Sequence, residues 1–222
     1  YCFLAERVDF YQLAANANMP VIGCVPTILP GVVSRMNLRN VSQALGIALI
    51  PASDILPDDD DGIATGAQLG LPLFVKADEA DVYKRVEVLE DLPAAVESVR
   101  KMAVSQGAPP SVYLERVVRQ MRQLNTTVVA DHHGFCVSLG STESSIQSEY
   151  RKWVEEAGPG LLDSELRARL DAWTVSLARA LEWVSVGVVR WAVTPDGGAY
   201  LLGMSARLTT GYSLMEKLHG VD

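Results

Sequence analysis

Short apolar runs, separated by polar turn-forming residues, recur along the chain and predict β-strands. The sequence DHHG joins two of these runs and PDGG joins another two, so the pattern predicts two antiparallel hairpins. Residues 47–53 are expected to be extended. The predicted strands are residues 20–25, 71–77, 111–118, 124–131, 135–141, 185–194 and 199–206.

Helical periodicity is clearest at residues 163–183, where large apolar side chains recur at steps of three and four. Asp163 or Ser164 can cap the start of this helix. Weaker patterns predict helices at residues 34–45 and 91–105. The apolar stripe of the long helix consists of Leu166, Leu170, Trp173, Leu177 and Leu181.

Residues 53–62, SDILPDDDDG, predict an exposed linker, because successive aspartates repel one another. The part before this linker has α/β character, and antiparallel hairpins dominate the part after it. The sequence therefore predicts an α+β fold in which helices pack against hairpins.

The composition excludes several classes of protein. The 222 residues are 49% hydrophobic and 21% charged, as in a soluble globular protein with a substantial core. No apolar run reaches the roughly 18 residues of a membrane span. The net charge of −8, without a basic block, argues against nucleic acid as a partner.

The cysteines lie far apart without C-x-x-C spacing, as expected of buried thiols in a reducing compartment such as the cytoplasm or an organelle matrix. The chain starts at Tyr1 rather than Met, so we interpret it as a piece of a longer protein, and its compartment stays open.

Four passages are similar, in order, to the motifs of one enzyme family. They read CFLAERVDFYQLAANANMPVIGCVP, LGLPLFVKA, VVADHHGFCVSLGSTESSIQSEYRKWVEEAGP and VGVVRWAVTPDGGAYLLGMSARLTTGYSLMEKLHGVD. The family motifs include G-Y-P-V-x-x-K-A, Q-R-R-H-Q-K-x-x-E-E-A-P and F-L-E-M-N-x-R-L-Q-V-E-H. On these passages the chain resembles the biotin carboxylase family of the ATP-grasp superfamily over nearly its whole length.

The resemblance implies an ATP-grasp fold preceded by part of an α/β domain. Residues 1–52 would be the remnant of that domain with its linker helix, and residues 53–118 a lid-type subdomain with a shortened glycine-free loop. Residues 119–222 would be the large lobe, with its C-terminal part incomplete. In the family, ATP phosphorylates bicarbonate and the carboxyl group passes to biotin on a carrier domain, so the resemblance implies ATP, a divalent metal and biotin as cofactors.

The loop after the family's phosphate-binding strand is altered. The family carries glycines there, whose backbone N–H groups approach phosphate closely. Here Lys76 and Ala77 are followed by DEADVYKRV, which contains no glycine. Asp78, Glu79 and Asp81 would set negative charges beside a triphosphate, where one like-charge pair at about 4 Å costs about 1 kcal/mol in water. The sequence predicts that ATP is not held in the family's way.

By the same resemblance, the family's two glutamate metal ligands fall on Arg190 and Gly203, and its assisting asparagine falls on Ser205. Magnesium takes oxygen ligands, so these replacements predict the loss of the metal site. Arg190 could instead pair with a carboxylate such as Glu143. The family's base glutamate falls on Gly211, which cannot accept a proton.

Five residues keep the family's identity. Lys76 matches its phosphate-binding lysine, and Glu115 matches the glutamate that faces the adenine amino group. Gln147, Lys152 and Arg207 match ribose-, bicarbonate- and biotin-side positions.

Each retained residue also has a purely structural interpretation. Lys76 could extend from a strand end towards solvent, and Glu115 could be a solvated strand residue. Lys152 and Glu155 could form a surface pair. The family's nucleotide-facing histidine falls on Tyr150.

The favoured hypothesis is a catalytically deficient biotin carboxylase-like subunit. It would act by assembly with a homologous or intact biotin carboxylase subunit, a biotin carrier domain or a carboxyltransferase subunit. Two alternatives are an active ATP-dependent biotin carboxylase, with its metal held by other residues, and a metal-free nucleotide sensor. Apolar side chains of the last hairpin and chain end predict an interface, unless they fill the core. They are Val186, Val188, Trp191, Val193, Tyr200, Leu202 and Leu218.

Overall fold

Two compact units make up the chain, and the computed structural model describes residues 8–19, 21, 23–148 and 151–220. The large unit takes the described residues of Tyr1–Val32, Leu38–Leu49 and Gln120–Asp222, and the small unit takes Val33–Asn37 and Ile50–Arg119.

The elements follow the predicted mixture of helices and hairpins. The helices are α1 (Val8–Asn16), α2 (Leu29–Val33), α3 (Arg35–Ala44), α4 (Ile63–Leu69), α5 (Leu92–Ser105), α6 (Ser164–Ala180) and α7 (Tyr212–His219). The strands are β1 (Leu73–Ala77), β2 (Tyr83–Val86), β3 (Val112–Arg116), β4 (Arg122–Ala130), β5 (Cys136–Glu143), β6 (Gln147–Ser148), β7 (Arg151–Lys152), β8 (Ser185–Val193) and β9 (Ala199–Ser205).

The small unit is an antiparallel sheet in the order β2-β1-β3, with α5 packed on one face. Leu73 and Val75 alternate with more exposed positions along β1 and are fully buried in the core shared with α5. Residues 57–61 form the largely exposed loop that the aspartate run predicts. The Arg100 guanidinium donates to the carbonyl oxygens of Pro57 and Asp58, which holds this loop against α5.

The large unit is built on an antiparallel sheet in the order β5-β4-β8-β9. Helix α6 covers one face, where the Trp173 and Trp191 rings lie 5.7 Å apart between centroids. Its predicted cap is confirmed, because the Asp163 carboxylate accepts a hydrogen bond from the Leu166 amide at 2.8 Å. The opposite face of the sheet is mainly polar, and the candidate site lies on it.

One predicted strand needs correction. Residues 23–25 form no strand: the Gly23 amide donates to the Ser185 hydroxyl and the Cys24 amide to the Ala206 carbonyl, which gives isolated contacts rather than a ladder. Residues 20 and 22 lie outside the described residues.

For the apolar side chains of the last hairpin the sequence predicts either an interface or a place in the core, and the core alternative is confirmed for three of them. Val188, Trp191 and Val193 are buried in the core of the large unit, because they point into packed faces of the central strand β8. Leu218 is exposed, and Tyr200 is half-buried.

Within the described part of the chain, none of the helices combines the length and hydrophobicity needed to cross a membrane.

Candidate functional site

The candidate site in the large unit begins with a row of residues that runs across the sheet. Thr142 of β5 lies opposite Asn125 of β4, which lies opposite Arg190 of β8, which lies opposite Gly203 of β9. Because side chains alternate between the faces of a strand, this row lies on the face opposite Trp191 and α6. The two predicted metal-ligand positions, Arg190 and Gly203, are therefore direct cross-strand neighbours.

Arg190 and Gly203 fit each other in size. A Cβ atom on Gly203 would lie 2.9 Å from Nη2 of Arg190, which is closer than side chains normally approach. The guanidinium thus occupies the volume that a side chain at position 203 would need. Ser205 follows two residues later on β9 and is buried opposite Val188. Arg190 presents a cation and Gly203 has no side chain, so neither position offers a carboxylate oxygen to a metal ion.

Glu143 does not approach Arg190, and the predicted pairing between them is wrong. Glu143 lies opposite Leu124, one position along from the Asn125 row, so its side chain points to the other face of the sheet. Its carboxylate accepts hydrogen bonds from Arg122, with Nε 3.1 Å from each oxygen. The Arg122 guanidinium lowers the pKa of Glu143 below its ordinary value, and the Ser145 hydroxyl contributes in the same direction.

Gly211, the predicted base position, precedes α7 and is buried. A Cβ atom there would lie 2.6 Å from Oε1 of Glu155 and 3.4 Å from Oγ1 of Thr142. The carboxylate of Glu155 therefore takes the space next to position 211, in the way that Arg190 takes the space next to Gly203.

Glu155 is at the centre of a hydrogen-bonded cluster that the sequence did not reveal. Its Oε1 atom accepts from the Thr142 hydroxyl at 2.7 Å, and its Oε2 atom accepts from the Thr210 hydroxyl at 3.0 Å. The Asn125 amide nitrogen and the Lys152 ammonium each lie 3.3 Å from Oε1. The predicted Lys152–Glu155 pair is confirmed, but the Glu155 side chain is only 11% exposed. The sequence signal that could have indicated this cluster is the polar residue at every second position of β4, namely Gln123, Asn125 and Thr127.

The other retained residues of the large unit make local contacts. The Gln147 amide nitrogen donates to the Ser144 carbonyl at 2.6 Å and to the Gln123 side-chain oxygen at 3.0 Å. The Arg207 guanidinium donates to the carbonyl of Leu208 at 3.4 Å. Position 150, where the family has its nucleotide-facing histidine, lies outside the described residues, and so does position 149.

In the small unit, Lys76 and Glu115 form an ion pair. The interpretation of Glu115 as a solvated residue is wrong, because it is only 4% exposed. The Lys76 ammonium also lies 5.5 Å from the centroid of the Phe74 ring, a favourable cation–π distance. The lysine that matches the family's phosphate-binding position therefore has its charge balanced by a protein carboxylate.

The glycine-free loop after β1 is fastened to the start of α3. The buried carboxylate of Asp78 accepts from the Met36 amide at 2.7 Å and from the Ser34 hydroxyl at 2.9 Å. In addition, the Ser34 hydroxyl accepts from the Asn37 amide at 3.1 Å. Asp78 thus satisfies backbone donors at a helix N-terminus, where a negative charge is favourable.

Arg35 holds the same loop from the first turn of α3. Its Nη1 atom donates to the carbonyl oxygens of Ala77 at 2.7 Å and Ala80 at 2.5 Å, and its Nη2 atom pairs with Asp81 at 3.1 Å. Of the three acids predicted to face a triphosphate, Asp78 is thus buried in protein contacts, Asp81 forms a surface ion pair with Arg35 and stays 83% exposed, and Glu79 is exposed.

Neither unit assembles an alternative metal site from the residues described. Within residues 8–19, 21, 23–148 and 151–220, no group of three or more His, Cys, Asp or Glu side chains is placed to hold a metal ion.

The architecture is that of an ATP-grasp domain of the biotin carboxylase type. The family model of the carbamoyl-phosphate synthase L chain, ATP binding domain, matches residues 34–222, so the chain belongs to this family. It is 29% identical over its full length to biotin carboxylase 2 of Bacillus subtilis, and 25% identical to the propionyl-CoA carboxylase alpha chain of Ruegeria pomeroyi. The resemblance predicted from the motifs is confirmed.

A solved structure agrees with this assignment. The crystal structure of a biotin carboxylase–β,γ-ATP complex from Campylobacter jejuni superposes on the whole chain with a TM-score of 0.92 and 25% identity. The chain covers 51% of that structure, 51% of the Bacillus protein and 33% of the Ruegeria protein. It therefore spans about half the length of the two biotin carboxylases and a third of the propionyl-CoA carboxylase chain.

Proposed function

We propose that the protein is a catalytically deficient, biotin carboxylase-like subunit that acts within a biotin-dependent carboxylase complex. The observation that carries this proposal is the fitted pair of Arg190 and Gly203. These two residues stand at the positions that the resemblance assigns to metal ligands. The Arg190 guanidinium lies in the space that a side chain at position 203 would need. A divalent cation between phosphates requires oxygen ligands, and a fixed positive charge at the same place repels it.

Three further features support the loss of chemistry. Gly211 provides no base, and the adjacent Glu155 carboxylate is already engaged by four donors. Lys76 is paired with Glu115. The loop after β1 is held closed on α3 by Asp78 and therefore differs from a mobile glycine-rich cover. The residues present do not fit Mg-ATP in the family's manner.

The name of one relative supports a role in assembly. The Ruegeria protein is called the alpha chain of a propionyl-CoA carboxylase, a term that denotes one component of a larger enzyme. We infer that this protein contacts an intact biotin carboxylase subunit, a carrier domain or a carboxyltransferase subunit. The folded scaffold is retained, while the positions needed for catalysis are lost.

The test is the biotin- and bicarbonate-dependent hydrolysis of ATP by the pure, full-length protein with magnesium. We expect no phosphate release above the blank, while biotin carboxylase 2 of Bacillus subtilis, assayed in parallel, provides the active control. Circular dichroism and a cooperative thermal transition establish that the protein is folded.

Two results would contradict the proposal. Phosphate release that depends on biotin would identify an active ligase, with a metal held by other residues. Thermal stabilisation by ATP without turnover, and without co-purifying carboxylase subunits, would instead identify a nucleotide sensor.

A further inference from the structure

We draw no further inference here: the strongest candidate, the cavity of the large unit that Arg167, Asp171 and His219 line beside the edge strand β5, carries none, because nothing in the structure shows what fills or covers it.

Discussion

At the scale of single residues, glycine stands at two positions where the family's motifs carry glutamate, and a neighbouring side chain fills the space in both places. Arg190 lies against Gly203, and Glu155 lies against Gly211. Side chains in a protein interior pack closely, and here each neighbouring side chain extends into the space beside a glycine. The altered site therefore consists of residues fitted to one another, and it does not leave an empty version of the family's site.

A double-mutant cycle tests the fit of the first pair. Gly203→Ala should lower the free energy of unfolding by about 1–3 kcal/mol, because Gly203 has a φ of +156°, which L side chains rarely adopt, and because the added Cβ atom would lie 2.9 Å from Nη2 of Arg190. In the Arg190→Ala background the same substitution should be less destabilising. Urea denaturation of the four proteins measures the coupling. Gly160→Ala is the control, since a Cβ atom there meets nothing within 4 Å. Equal losses in both backgrounds would contradict the fit.

The Arg122–Glu143 pair predicts a pH dependence of stability. The pKa of Glu143 is lowered in the folded protein from its ordinary value of 4.5, chiefly by the hydrogen bond from Arg122. The pair therefore stabilises the fold at pH values above 4.5, and this contribution is lost as the pH falls through the folded-state pKa. The stability difference between the unchanged protein and Glu143→Gln should be largest near pH 7 and shrink in acid. A constant difference from pH 7 to about pH 3 would contradict it.

At the scale of elements, the loop between β1 and β2 and the start of α3 stabilise each other. Asp78→Ala should lower the free energy of unfolding by about 1–2 kcal/mol, because it leaves the Met36 amide and the Ser34 hydroxyl without their acceptor. Hydrogen exchange of the Met36 amide should become faster. Chemical denaturation and exchange measurements check both effects.

The neighbouring acid provides the matched control for that loop. Glu79 is exposed, and Glu79→Ala should change stability by less than about 0.5 kcal/mol. If Asp78→Ala changes the free energy of unfolding as little as Glu79→Ala does, Asp78 does not hold the loop against α3. The proposal that this loop differs from a mobile glycine-rich loop would then lose its support.

The sequence predicted the elements well where local periodicity decides them. Strand β1, the two long hairpins and helix α6 with its Asp163 cap all formed as expected, because apolar spacing and capping act within a few residues. Residues 23–25 failed as a strand because an apolar run alone cannot show whether a neighbouring strand is available.

The site was less predictable, because it depends on register and on contacts distant in sequence. The faces of Arg190 and Glu143 follow from a strand alignment that includes irregularities at Thr127/Val128 and Arg190/Trp191. A one-residue shift of this kind moves a side chain to the other face of the sheet. Likewise, the approach of Glu155 to Gly211 joins segments that no local pattern connects.

At the scale of the whole molecule, both units carry residues that depart from the family's motifs. In the large unit the changes affect metal and base positions, and in the small unit they affect the phosphate-facing lysine and the loop beside it. Each unit nevertheless keeps its sheet, its covering helix and its core. A retained scaffold beside these replacements agrees with the proposed assembly function.

The last prediction is that restoring one ligand will not restore activity. Arg190→Glu returns a carboxylate to one metal position but leaves Gly203 without a side chain, Gly211 without a base and Lys76 paired with Glu115. Residues that act as a unit in catalysis are strongly non-additive, so a single repair should give no phosphate release that depends on biotin and bicarbonate. The assay with magnesium and ATP measures this on folded, full-length protein. Turnover by Arg190→Glu would contradict this prediction. It would show that the other groups of the site can still catalyse the reaction and that Arg190 alone prevents it.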